Sequence, residues 1–63
     1  MAVVQVQLKA GRTREQKREL VARVTAALVE VCGADPESVH VIIAEVPEEN
    51  WGRGGALLSD QGP

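Results

Sequence analysis

Apolar and polar residues alternate along the first segment of the chain. Between residues 2 and 8, one side of an extended backbone carries only apolar side chains: Ala2, Val4, Val6 and Leu8. A period of two is typical of a β-strand that buries one face. The pattern therefore predicts a first strand over residues 2–8, which ends before Gly11.

A helical pattern follows this glycine. Thr13 and Gln16 have the spacing of a capping box, in which two side chains satisfy free N–H groups at a helix start. Apolar residues then recur at intervals of three and four, which places them on one stripe of a helix: Leu20, Val21, Val24, Ala27, Leu28 and Val31. Gly33 suits the position just after a helix, where φ is often positive. We expect a helix from about residue 14 to about residue 32.

A second apolar run, rich in β-branched residues, predicts a second strand over residues 39–46, and Pro47 ends it. Two strands joined by a helix form a βαβ unit, in which the strands are parallel. Residues 47–55 are rich in turn formers, and residues 56–59 can add a short strand. We therefore expect one α/β (α+β) domain over residues 1–63, a single βαβ unit with a short C-terminal hairpin or strand.

The length of the chain indicates that this unit needs a partner. A domain of 63 residues buries only about 60% of its unfolded surface, and one cysteine allows no internal disulfide. No cluster of Cys and His residues suggests a metal site, and the helix covers only one face of the sheet. We expect sheets paired between subunits of a homo-oligomer. Cys32, near the helix end, is expected to be buried and structural rather than nucleophilic.

The net charge of the chain and the distribution of its charged residues limit the kinds of molecule that it is expected to bind. The net charge of −2 argues against a protein that binds nucleic acid through phosphate contacts. Six of the seven Lys and Arg residues lie at or before Arg23, so the first half of the chain could attract a small anion. Glu45, Glu48 and Glu49 are expected to form a solvated rim. The chain has neither a signal-peptide pattern nor an apolar run of about 20 residues, which predicts a cytoplasmic protein without a membrane partner.

Two segments and the chain length carry a resemblance to a known family. GRTREQKREL joins the first strand to the helix, and SVHVIIAEVPEENWGRGG follows the helix. Together they resemble the 4-oxalocrotonate tautomerase family of the tautomerase superfamily. The resemblance implies βαβ subunits that pair their sheets in dimers and assemble as hexamers. It also implies an isomerase that interconverts enol and keto forms of small 2-keto acids, and no cofactor is expected.

The resemblance also implies candidate site residues. In the family, an N-terminal proline is the general base, a first-turn arginine binds carboxylate, a strand arginine assists, and an aromatic residue walls the pocket. Arg12 and Trp51 match two of these positions, whereas Ala2 stands at the proline position and His40 at the strand arginine position. The catalytic candidate is therefore Ala2, the substrate-binding candidates are Arg12, His40 and Trp51, and no metal ligand is expected.

The change at Ala2 leaves two functions open. A terminal alanine is a primary amine with an ordinary pKa of about 7.7 to 8.0, so it can serve as a base once Met1 is removed. The first interpretation is a tautomerase that Ala2 impairs or disables. The alternative is a catalytically silent subunit or a small-anion binding module.

Each site candidate also has a purely structural interpretation. Ala2 can be the first core-facing residue of a strand, and Arg12 a solvated turn residue. His40 can be a partly exposed strand residue that is mostly neutral at pH 7, because the ordinary pKa of histidine is about 6.5. Trp51 can be the one large side chain that fills space in a core of small residues.

Overall fold

A computed structural model describes residues 1–61, and it confirms the predicted order of elements. The regular elements are β1 (Ala2–Lys9), α1 (Arg14–Cys32), β2 (Val39–Val46), β3 (Gly52–Arg53) and β4 (Ala56–Leu57). Short 3-10 turns lie at Pro36–Ser38, Glu48–Asn50 and Leu58–Asp60. The fold is the expected βαβ unit followed by a short hairpin.

The two long strands form a parallel pair. Their register runs from Ala2 opposite Val39 to Lys9 opposite Val46, without a bulge. Because the strands are parallel, both begin at one end of the sheet and both finish at the other. The parallel arrangement therefore determines which candidate site residues lie at the same end of the sheet within one chain.

The ends of α1 are those that the sequence predicts. Thr13 Oγ1 accepts a hydrogen bond from Gln16 N at 3.1 Å, and Gln16 Oε1 accepts one from Thr13 N at 2.9 Å, which completes the capping box. At the other end, Gly33 has a φ of 69° and donates to the Val29 carbonyl at 3.1 Å. This left-handed residue ends the helix.

The helix covers one face of the sheet and leaves the other bare. The alternate residues of β1 that face α1 are half-buried, whereas Val3 and Ile42 on the opposite face are 55% and 50% exposed. Within residues 1–61, no side chain is completely buried. The single chain therefore has a thin core, and its bare sheet face is a surface for further packing.

The expected burial of Cys32 is wrong for the single chain, where Cys32 is exposed. The half-buried stripe of α1 ends at Val29, and Val31 is 82% exposed. Within residues 1–61, Val31 and Cys32 at the end of α1 are therefore left uncovered. Among the helices within residues 1–61, none combines the length and apolar composition that crossing a bilayer requires.

The C-terminal hairpin is a small unit beside the βαβ body. Gly54 and Gly55 have φ values of 62° and 87°, as a two-residue turn with two left-handed positions requires. Gln61 Nε2 donates to the carbonyls of Arg53 and Ala56 at 3.2 and 3.1 Å, which holds the hairpin closed. The hairpin packs mainly on the neighbouring 3-10 turns, and the chain as a whole is elongated, at 42 × 24 × 14 Å.

Candidate active site

Arg12 lies in the short connection between β1 and α1. Before it, Ala10 N donates to the Val46 carbonyl at 3.0 Å, and Gly11 takes a φ of 123°, which only glycine adopts readily. After it comes Thr13, the first residue of the capping box. The backbone of Arg12 is therefore held between the end of the sheet and the start of the helix.

This connection borders a small cavity. Its volume is about 270 Å³, and its lining residues are Leu8, Arg12, Gln16, Lys17 and Leu20. The lining combines an apolar floor with two cationic groups and an amide, a composition that suits a small anionic ligand with an apolar middle. Within residues 1–61, no three His, Cys, Asp or Glu side chains converge as metal ligands would.

The two cations of the cavity have different partners. Lys17 Nζ donates to Glu45 Oε1, so its charge is balanced by a carboxylate. For Arg12, no carboxylate of residues 1–61 lies within ion-pair distance. Arg12 is therefore the cation that remains available for an anion from outside the chain.

Glu45 joins the sheet to this turn. Besides Lys17, its carboxylate accepts a long hydrogen bond of 3.4 Å from Gly11 N. The hydrogen bond from Lys17 is the main cause that lowers the pKa of Glu45, and partial burial opposes it. The Gly11 N–H, the Lys17 charge and the Arg12 N–H lower the pKa further, so Glu45 is ionised at neutral pH.

Glu45 is exposed, as expected for a solvated rim, but sequence reasoning missed its contacts with Lys17 and Gly11. A signal was present, because Glu45 follows Val39, Val41 and Ile43 at alternate positions and so falls on the face of β2 that meets the helix. An acidic residue at such a position needs a partner. Lys17, three residues before Leu20 on the apolar stripe of α1, supplies it.

The other site candidates divide between the two ends of the sheet. Ala2 is half-buried at the start of β1, and His40 is exposed near the start of β2, opposite Val3 on the bare face. Trp51 is half-buried beyond the end of β2, and an ion pair between Lys9 and Glu48 of 4.0 Å ties that region to the end of β1. One end of the sheet thus carries Ala2 and His40, and the other carries Arg12 and Trp51.

The distance between these ends is set by β1. Its eight residues, Ala2–Lys9, span about 23 Å at about 3.3 Å per residue. A small carboxylic acid is much shorter than this strand. A site that uses both the Ala2 amine and Arg12 must therefore combine two copies of the chain.

Comparison with known proteins identifies the family. The family model described as "Tautomerase enzyme" matches residues 3–61. The 2-hydroxymuconate tautomerase of Comamonas testosteroni is 42% identical over 62 residues, which are 98% of this chain and 98% of that protein.

Solved structures agree with this assignment. The crystal structure of a 4-oxalocrotonate tautomerase homologue superimposes with a TM-score of 0.91 at 43% identity and covers both chains completely. A heterohexamer 4-oxalocrotonate tautomerase from Chloroflexus aurantiacus superimposes with a TM-score of 0.87 at 32% identity, over 95% of this chain and 97% of that one. Tautomerases of this fold thus form oligomers, hexamers among them. The chain belongs to the tautomerase family, whose members are isomerases.

Proposed function

We propose that this protein is a tautomerase that interconverts the enol and keto forms of a small 2-keto acid. Arg12 binds a carboxylate of the substrate, Trp51 forms an apolar wall, and the N-terminal amine of Ala2 moves the proton. The observation that carries this proposal is Arg12, which lines a cavity of about 270 Å³ and has no carboxylate partner within residues 1–61. The name of the Comamonas relative favours an unsaturated dicarboxylic enol as the substrate class.

The proposed site lies between subunits. The amine and Arg12 lie at opposite ends of β1, and the bare sheet face offers exposed Val3 and Ile42 for contact with a second copy. We therefore assign residues 1–63 as one tautomerase domain that assembles as a homohexamer. In that assembly, His40 of one copy assists Arg12 of another copy in binding the substrate.

The chemistry requires a neutral terminal amine. Removal of Met1 exposes the Ala2 amine, whose ordinary pKa of about 7.7 to 8.0 is already near neutrality. In the proposed site, an apolar wall and a guanidinium from another copy would both favour the neutral form of such an amine. The neutral amine then moves a proton between the enol oxygen and a carbon of the substrate, and the reaction consumes no proton overall.

A second candidate function is that of a catalytically silent subunit or a small-anion binding module. It is favoured by Ala2 and His40, which replace the proline and the strand arginine that the resemblance implies. If Met1 is retained, Ala2 becomes an ordinary amide and the amine moves by about 3.3 to 3.6 Å. The protein would then bind a carboxylate at Arg12 without moving a proton.

The variant Ala2→Pro separates the two functions. Proline at the start of β1 removes only one N–H and, as the terminus, supplies a secondary amine in the same place. We expect the rate of 2-hydroxymuconate tautomerisation to rise by a factor of about 10² to 10⁴, which is the usual contribution of a positioned general base. Ala2→Gly is the matched control, because it keeps a primary amine and should give no such gain.

The assay requires two checks on each protein. The mass of the intact chain reports whether Met1 has been removed, and circular dichroism reports whether the variant is folded. A folded Ala2→Pro chain that lacks Met1 and is no faster than the parent contradicts the tautomerase proposal. That result would favour the silent subunit.

A further inference from the structure

Glu45 has an unusual position for an acidic residue. It lies opposite Leu8 near the end of β2, on the face that α1 covers, and 27% of its side chain is exposed. Its two carboxylate oxygens have different partners: Oε2 accepts from Gly11 N at 3.4 Å, and Oε1 accepts from Lys17 Nζ. One side chain therefore links β2 to the connection before α1 and to the first turns of α1.

This link bears on the conformation of Arg12. Gly11 has a φ of 123° and no side chain, so the backbone before Arg12 has little intrinsic preference for one conformation. The capping box holds the backbone on the other side, where Thr13 N donates to Gln16 Oε1. The contact from Glu45 to Gly11 is the side-chain anchor on the glycine side.

The Glu45 carboxylate also makes the two cations of the cavity differ in how strongly they attract an anion. Lys17 and Arg12 both line it, and an incoming carboxylate could pair with either. Because Glu45 already pairs with Lys17, the attraction of Lys17 for a second anion is offset. The guanidinium of Arg12 is left as the better partner.

We propose that Glu45 is the positioning residue for Arg12: it anchors the Gly11–Arg12 backbone and neutralises Lys17, so that a substrate carboxylate binds Arg12. This inference rests on the proposed function only in giving Arg12 the role of carboxylate binder. Glu45 itself does not touch the substrate. The lowered pKa of Glu45 supports the proposal, because the anchor keeps its charge throughout the neutral range.

Amide hydrogen exchange measured by NMR tests the anchor directly. In Glu45→Ala, exchange at Gly11 and Arg12 should accelerate by about two- to tenfold, as expected for the loss of one hydrogen bond. Exchange at Thr13, which belongs to the capping box, should stay unchanged. Glu48→Ala is the matched control, since Glu48 pairs with Lys9 and not with this turn. Unchanged exchange at Gly11 in Glu45→Ala overturns the proposal.

Binding of adipate, a six-carbon dicarboxylate, tests the effect on Arg12. Calorimetry should find the adipate Kd several-fold higher in Glu45→Ala than in the parent and unchanged in Glu48→Ala. In an Arg12→Ala background, the Glu45 substitution should cause no further loss of affinity, because Arg12 is no longer there to be positioned and the freed Lys17 can only favour an anion. An equal loss in both backgrounds shows that Glu45 acts elsewhere and overturns the proposal.

A second variant and the behaviour of the parent chain keep the result decisive. Glu45→Gln preserves the shape of the side chain and one acceptor oxygen, so it replaces Glu45→Ala if the alanine variant does not fold. We expect its exchange rates and Kd to lie between those of the parent and the alanine variant. A parent chain that does not bind adipate contradicts the proposed carboxylate site, whereas the exchange rates still decide whether Glu45 anchors the turn.

Discussion

Replacing Arg12 by alanine removes the one cavity cation that has no carboxylate partner among the described residues. A hydrogen bond to a charged group contributes about 1.5 to 3 kcal/mol. Arg12 is exposed at the rim of an open cavity, so water screens its charge and the lower half of this range applies. At about 1.4 kcal/mol per tenfold change, the Kd for adipate should rise about 10- to 40-fold.

Isothermal titration calorimetry at fixed ionic strength measures this change, with Arg14→Ala as the matched control. Arg14 is only two residues from Arg12 and, within residues 1–61, likewise has no carboxylate partner. Unlike Arg12, however, Arg14 does not line the cavity. The control should therefore leave the Kd nearly unchanged. Raising the salt concentration should weaken binding to the parent chain and have little effect on the Arg12→Ala chain.

Two results would refute this reasoning. If Arg12→Ala and Arg14→Ala weaken adipate binding equally, the cause is the general positive potential of the first half of the chain. If neither changes the Kd, Arg12 is the solvated turn residue of the structural interpretation. Circular dichroism of the folded variants excludes a trivial loss of binding, because no described contact of the Arg12 side chain holds the fold together.

The remaining predictions concern assembly and acid stability. Sedimentation at micromolar concentration should show an oligomer, and Ile42→Asp on the bare sheet face should shift it to smaller species; a parent chain that stays monomeric contradicts this. The lowered pKa of Glu45 predicts a contribution to stability that is complete above the unfolded-state pKa of about 4.3. That contribution should disappear as the pH falls through the lower folded-state pKa. Denaturant unfolding across this range should show a weaker acid dependence in Glu45→Gln, and identical curves for both proteins would argue against it.

The elements of the fold could be predicted because local signals decide them. Alternation in β1 and the Thr13–Gln16 capping box act through neighbours in sequence, and both appear in the structure as expected. Gly33 likewise ends α1 in the left-handed conformation that its position suggests. Such signals need no knowledge of tertiary contacts.

The site depends on contacts that the local pattern does not contain. Glu45 and Lys17 are 28 residues apart, and only the packing of α1 on β2 brings them together. The exposure of Cys32 has a similar origin, since the apolar stripe does not reveal where neighbouring elements stop covering the helix. Likewise, the separation of Ala2 from Arg12 follows from the parallel register and not from the sequence spacing alone.

The division of candidates between the two ends of the parallel sheet has a genetic consequence. A chain with a blocked N-terminus still carries an intact Arg12 end, and a chain that lacks Arg12 still carries an intact amine. On the proposed site, two such defective chains that assemble together would regenerate complete sites wherever an intact amine meets an intact Arg12. Dilution would act in the opposite direction, since dissociation of the subunits would separate the proposed amine from the proposed carboxylate binder.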